Sequence, residues 1–69
     1  MLNAKYIFKL KPWSVVETEG GPVDAVSVAG TDYSTGDYFN GGWAETYMIE
    51  TPNGGFTVLK GSVKEIIEV

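Results

Sequence analysis

Along this chain apolar residues recur at every second position, in short runs closed by glycine or proline. A period of two separates the faces of a strand and predicts a β protein. Tyr6, Phe8 and Leu10 alternate with Lys5, Lys9 and Lys11, giving a first strand from about Lys5 to Leu10 with one apolar and one basic face, interrupted by Pro12. A second run, Trp13 to Thr18, carries the β-branched Val15 and Val16 and ends at Gly20-Gly21-Pro22, a turn signal. Val23 to Ala29 reads as a third strand with both faces buried. From Gly30 to Gly42 the period dissolves among Gly, Ser, Thr, Asp, Asn and Tyr, and the stretch reads as a long loop of the kind that carries function.

The second half is more regular. Trp43, Glu45, Tyr47 and Ile49 alternate with Ala44, Thr46, Met48 and Glu50, the chain turns at Thr51-Pro52-Asn53-Gly54-Gly55, and Phe56 to Lys60 returns. This is a β-hairpin, with Asn53-Gly54 expected to supply the two positive φ angles of a type I′ turn. Asn40-Gly41-Gly42-Trp43 and Asn53-Gly54-Gly55-Phe56 look alike because the same turn chemistry feeds a strand in each, not because the chain is duplicated. Lys60 to Glu65 is either a short helical turn capped by Ser62 or a loop, and Ile66, Ile67 and Val69 close the chain as a last short strand. Short strands joined by tight turns must hide their edges, so an all-β domain over residues 1–69, closed as a small barrel of five or six strands, is the expected architecture.

A strand led by Trp43, a tight hairpin, a return strand, a helical turn around Gly61 to Lys64 and a final strand resemble, in that order, the SH3-like small barrels that occur in bacteria and phages as stand-alone proteins. The resemblance implies the fold alone. The Ala-Leu-Tyr-Asp-Tyr strand of signalling SH3 domains is missing, and Ser62 stands where their helical turn carries proline.

Composition narrows the chemistry. With 69 residues there is room for one core, and neither a cysteine nor a histidine to supply a disulfide, a thiolate metal site or an imidazole base. The absence of cysteine fits a cytoplasmic setting. A net charge of −4, from nine carboxylates against five lysines and no arginine, argues against a nucleic-acid partner held through phosphates. Apolar runs are too short to span a bilayer, and the N-terminus from Met1 to Phe8 lacks the charged start and long apolar stretch of a signal peptide.

Candidate sites reduce to one segment. Asp32, Asp37, Glu45 and Glu50 read as solvated carboxylates on opposing faces, not an acid–base pair. A calcium loop starting at Asp32 would need an oxygen ligand where Gly36 stands and a glutamate where Trp43 stands. Ser14, Ser27, Ser34 and Ser62 lack an activating imidazole, Lys60-Gly61-Ser62 is no phosphate loop, and the lysines at 5, 9 and 11 read as the protection of an edge strand. What remains is Tyr33, Tyr38, Phe39 and Trp43 interleaved with Asp32 and Asp37: aromatic faces beside carboxylates suit a cationic or proline-containing peptide, whereas the alternative is that Phe39 and Trp43 plug the core. The sequence therefore predicts a protein- or peptide-binding module without catalysis, cofactor, metal or membrane partner, in the manner of phage or mobile-element accessory proteins. A subunit that self-associates into a dimer or ring is the alternative, and a single-stranded nucleic-acid-binding barrel a weaker one.

Overall fold

Alternation does become strands here, and more of them than the pattern announces. The computed structural model describes residues 4–69; Met1 to Asn3, on which part of the reading of the N-terminus rests, lie outside the described residues. Eight strands follow one another: β1 (Tyr6–Leu10), β2 (Val15–Thr18), β3 (Gly21–Asp24), β4 (Ser27–Gly30), β5 (Asp32–Phe39), β6 (Gly42–Thr51), β7 (Gly54–Leu59) and β8 (Val63–Glu68), with a 3₁₀ turn at Lys60–Ser62 before the last. They form two antiparallel sheets, in the orders β4-β1-β8 and β3-β2-β7-β6-β5. The chain is thus all-β, but the single closed barrel of five or six strands is replaced by two sheets that share a core.

That core takes Phe8, Leu10 and Val28 from the first sheet and Val16, Ile49 and Val58 from the second, all buried. Phe8 lies opposite Val28 on one side and Ile66 on the other, so the inner row of the small sheet is apolar across its whole width. Its ring also meets Tyr33 edge-on with centroids 5.1 Å apart and Tyr47 at 5.6 Å, while Tyr6 meets Tyr33 at 4.9 Å. Aromatic pairs of this kind contribute about 0.5–1.5 kcal/mol beyond the area they bury, and here two edge-to-face pairs tie β1 of one sheet to β5 of the other and a tilted pair ties it to β6.

Four expectations change. The Gly30–Gly42 loop is β5 and its flanks, because pairing with β6 from Asp32↔Glu50 to Phe39↔Gly42 satisfies a backbone whose side chains carry little apolar period. The third run is broken at Ala25 and Val26, where the chain leaves the large sheet for the small one: Ala25 N–H donates to the Ser14 carbonyl at 3.3 Å, and the Val26 carbonyl accepts from Leu10 N–H at 2.9 Å. Val23 and Val26 are accordingly exposed, not buried on both faces. β1 is the central strand of its sheet, so Lys5 and Lys9 lie on its open face instead of guarding an edge. The helical turn exists, but Ser62 is its last residue and no side chain caps it.

Turn chemistry is also redistributed. Both positive φ angles of a type I′ turn fall on Asn40 (52°) and Gly41 (83°), between β5 and β6. At Thr51-Pro52-Asn53-Gly54 the positive φ belongs to Gly54 alone (109°), after the turn, since Pro52 fixes a negative φ inside it. Thr18-Glu19-Gly20-Gly21 repeats the arrangement, with the Thr18 and Thr51 hydroxyls each donating to the carbonyl three residues on at 2.8 Å. The matching turns are therefore these two, and they lie side by side because β2 pairs with β7.

Two outcomes follow from the packing. A Cβ on Gly30 would collide with Ile49 Cγ2 and approach the Glu50 carbonyl oxygen to 3.1 Å, so Gly30→Ala should cost about 1–3 kcal/mol in urea denaturation. Thr46 is fully buried and its hydroxyl has no hydrogen-bond partner, so Thr46→Val, which keeps the shape and removes that group, should raise stability by about 1 kcal/mol in the same assay.

Candidate functional site

β6 is longer than the strand that covers it. β7 pairs with Thr46 to Thr51, so Gly42 to Glu45 and the facing end of β5 continue without a third strand as a two-stranded ribbon. At its tip the Asn40-Gly41 turn sets Tyr38 directly opposite Trp43, and cross-strand partners share a face. Their rings stack with centroids 4.4 Å apart and an interplanar angle of 29°. The stack is nevertheless open to solvent, Tyr38 at 55% and Trp43 at 77% of full exposure. Burial in the core therefore does not account for Trp43.

Carboxylates lie beside the indole of the stack. Between Gly36↔Thr46 and Tyr38↔Trp43 the register shifts, leaving Ala44 and Glu45 together opposite Asp37. This bulge breaks strict alternation, and Asp37 and Glu45 line one shallow hollow with Trp43 and Ala44. Both acids are exposed. An indole face with two carboxylates at its rim suits a cationic side chain, which gains from the ring quadrupole and from the negative charges together.

The six residues expected from the sequence separate. Asp37, Tyr38 and Trp43 meet at the ribbon tip, where Glu45 joins them. Phe39 is half-buried beside the turn. Asp32 opens β5 at its other end, roughly 20 Å away at the rise of a strand, and its Oδ1 accepts the Tyr33 backbone N–H at 2.8 Å. Tyr33 belongs to the aromatic cluster between the sheets, edge-on to Tyr6, Phe8 and Tyr47. Lys60 Nζ lies 5.4 Å from the centre of the Tyr47 ring, a cation already held by this fold against an aromatic face.

A second exposed indole escaped the sequence reading. Lys11-Pro12-Trp13-Ser14 is a turn closed by Ser14 N–H to the Lys11 carbonyl at 3.3 Å and reinforced by the Ser14 hydroxyl on the same oxygen at 2.6 Å. Proline followed by a residue with positive φ is the pattern of a type II turn, and that second position, normally glycine, is filled by Trp13 at φ 66°. Trp13 is 94% exposed, so packing within the chain does not offset the strain. With Pro12, Asp24 and Val26 it borders a second open hollow. The signal lay in Pro12-Trp13 itself: proline at the first corner of a turn asks what residue sits at the next.

Other hollows offer less. The one between β4 and the β6–β7 turn is lined by Ser27, Val28, Ala29, Thr51, Pro52, Asn53 and Phe56, none of them titratable near neutrality. Among the described residues no group of three or more His, Cys, Asp or Glu is placed to hold a metal, and no helix is long and apolar enough to cross a membrane. No family model, curated protein or solved structure matches this chain.

The strained turn generates its own test. A left-handed backbone costs an L-residue about 1–2 kcal/mol, partly offset on substitution by the greater unfolded-state freedom of glycine. Trp13→Gly should therefore raise stability by about 0.5–1 kcal/mol, seen as a higher melting temperature, despite removing the largest side chain in the sequence.

Proposed function

We propose that this chain is a non-enzymatic, SH3-like binding module that captures a basic segment of another protein on the Tyr38–Trp43 tip. The observation that carries the reading is an aromatic stack left open to solvent, with two carboxylates, Asp37 and Glu45, beside its indole, on a ribbon that no other strand covers. Exposing such apolar area in a chain with one small core is unfavourable unless something outside covers it. Trp13 supports the same reading, since a strained, solvent-facing indole costs stability and does nothing for the fold. The negative net charge adds long-range attraction for a cationic partner and repulsion for nucleic acid.

What supports the SH3-like part is the order of connections. The first strand pairs with the last, a β2–β3 hairpin follows it, one stretch of chain from β4 into β5 serves both sheets, and a 3₁₀ turn separates the β6–β7 hairpin from β8. The setting attached to this reading is the cytoplasm of a bacterium or of a phage-infected cell, on the grounds of size, acidity and lack of cysteine.

A short unstructured Arg- and Lys-rich peptide, titrated calorimetrically at low ionic strength, tests the reading. Binding should weaken at least about tenfold on Trp43→Ala and on Asp37→Lys, and should fall as salt screens the carboxylates. Near-ultraviolet circular dichroism of the variants checks that the sheets remain intact. A peptide that fails to bind, or that binds Trp43→Ala as well as the parent chain, removes the proposal.

A further inference from the structure

Every open sheet has edges, and the edges of this one are unequal. β3 carries Pro22, which has no N–H to offer, and β4 is short and bends away at Gly30. β5 is interrupted by the register shift between Gly36 and Tyr38. β8 is different: it borders its sheet with β1 on one side only, runs six residues, and contains neither proline nor glycine.

The direction of its free groups can be deduced. Val69 N–H donates to the Lys5 carbonyl at 2.8 Å, so position 69, and by alternation position 67, turns its backbone polar groups toward β1. Ile66 and Glu68 then direct theirs to the open edge. Lys64 sits where the β1–β8 register shifts, and its side chain, like that of Glu68, is exposed.

We propose that β8 is a self-association edge, pairing antiparallel with β8 of a second copy about a two-fold axis through Ile66. The sequence of the strand selects this register. With the axis on Ile66, Lys64 faces Glu68 of the second copy and Glu68 faces its Lys64, Val63 meets Val69 at both ends, and Glu65 lies opposite Ile67. An axis on Glu65 would set two like carboxylates against each other, and one on Ile67 would put Glu68 against Ile66 and Glu65 against Val69. Only the first choice sets opposite charges against each other, twice over, and that outweighs its Glu65–Ile67 mismatch; it is also the one in which the outward-facing Ile66 groups meet each other. Val69, 68% exposed in the single chain, gains an apolar neighbour, and two three-stranded sheets become one of six. A two-fold contact that uses the same patch on both copies closes on itself, so the product is a dimer and not a filament. None of the ribbon-tip residues takes part, so the inference is independent of the binding reading and leaves two peptide sites per assembly.

The test is mass by sedimentation across about a hundredfold range of concentration. The parent chain should pass from monomer to dimer. Glu68→Lys and Lys64→Glu should each raise the dissociation constant at least about tenfold, because each sets like charges opposite one another. Mixing the two variants should restore a dimer, now a heterodimer, and the double exchange Lys64→Glu/Glu68→Lys should restore it in one chain. Melting curves at a dilution where all are monomeric separate a folding defect from a lost contact. A parent chain that stays monomeric overturns the proposal, as does a dimer indifferent to these exchanges, which would place the contact on another edge.

Discussion

The close approach of Gly30 to Ile49 is the constraint on which the rest of this fold depends. At that point the chain stops pairing with β1 and begins pairing with β6, so one continuous stretch belongs to both sheets. The crossing is pinned from both sides: the Gly30 carbonyl accepts Lys5 N–H at 2.9 Å, and Thr31 N–H donates to the Glu50 carbonyl at 2.8 Å. A side chain at position 30 would hold the strand off Ile49 and open the core there. Phe8 and its tyrosine neighbours fill the space that the crossing leaves between the sheets, so backbone proximity at one end and aromatic packing along the layer reinforce each other.

From this corner the proposed binding surface follows mechanically. Once β5 is committed to β6 at Asp32↔Glu50, the hairpin extends for the whole length of β6, beyond the reach of β7. A ribbon anchored by the core at one end and free at the other holds side chains out where a partner can reach them. The bulge opposite Asp37 then turns two carboxylates toward the same indole. Core and surface thus divide the aromatic residues of a single strand: Tyr33 near the anchor packs inward, and Tyr38 near the tip faces water.

Much of this was legible locally. The hairpin of β6 and β7 and the apolar face of β1 announce themselves through a period of two or a turn residue, whereas Lys60 to Glu65 read equally as a helical turn or a loop until the structure showed the 3₁₀ turn. The β5 strand did not, because Ser34, Thr35, Gly36 and Asp37 give no apolar alternation and carry the composition of a loop; only the ladder offered by β6 makes them a strand. Asn53-Gly54 and Asn40-Gly41 present the same letters, yet only the second pair takes two positive φ angles, because Pro52 occupies the first corner of the other turn and fixes a negative φ there. Trp13 was hidden for the opposite reason, as an aromatic residue beside a β-branched run counts toward a strand unless the preceding proline is read as a turn.

By itself the sequence determined that this is an all-β chain with one small core, without imidazole or thiol chemistry, acidic, and with four of its nine aromatic residues interleaved with three of its nine carboxylates between positions 32 and 45. Those properties are set by residue type and local period, and they hold whatever the strands pair with. Tertiary structure alone decided which of those aromatic residues are core and which are surface, that two sheets form where one barrel was expected, and that β1 is central. The physical reason is that burial and pairing are relations between distant segments: a side chain's fate is fixed by the strand that arrives opposite it, and β5 receives β6 along its whole length while only half of it receives the core.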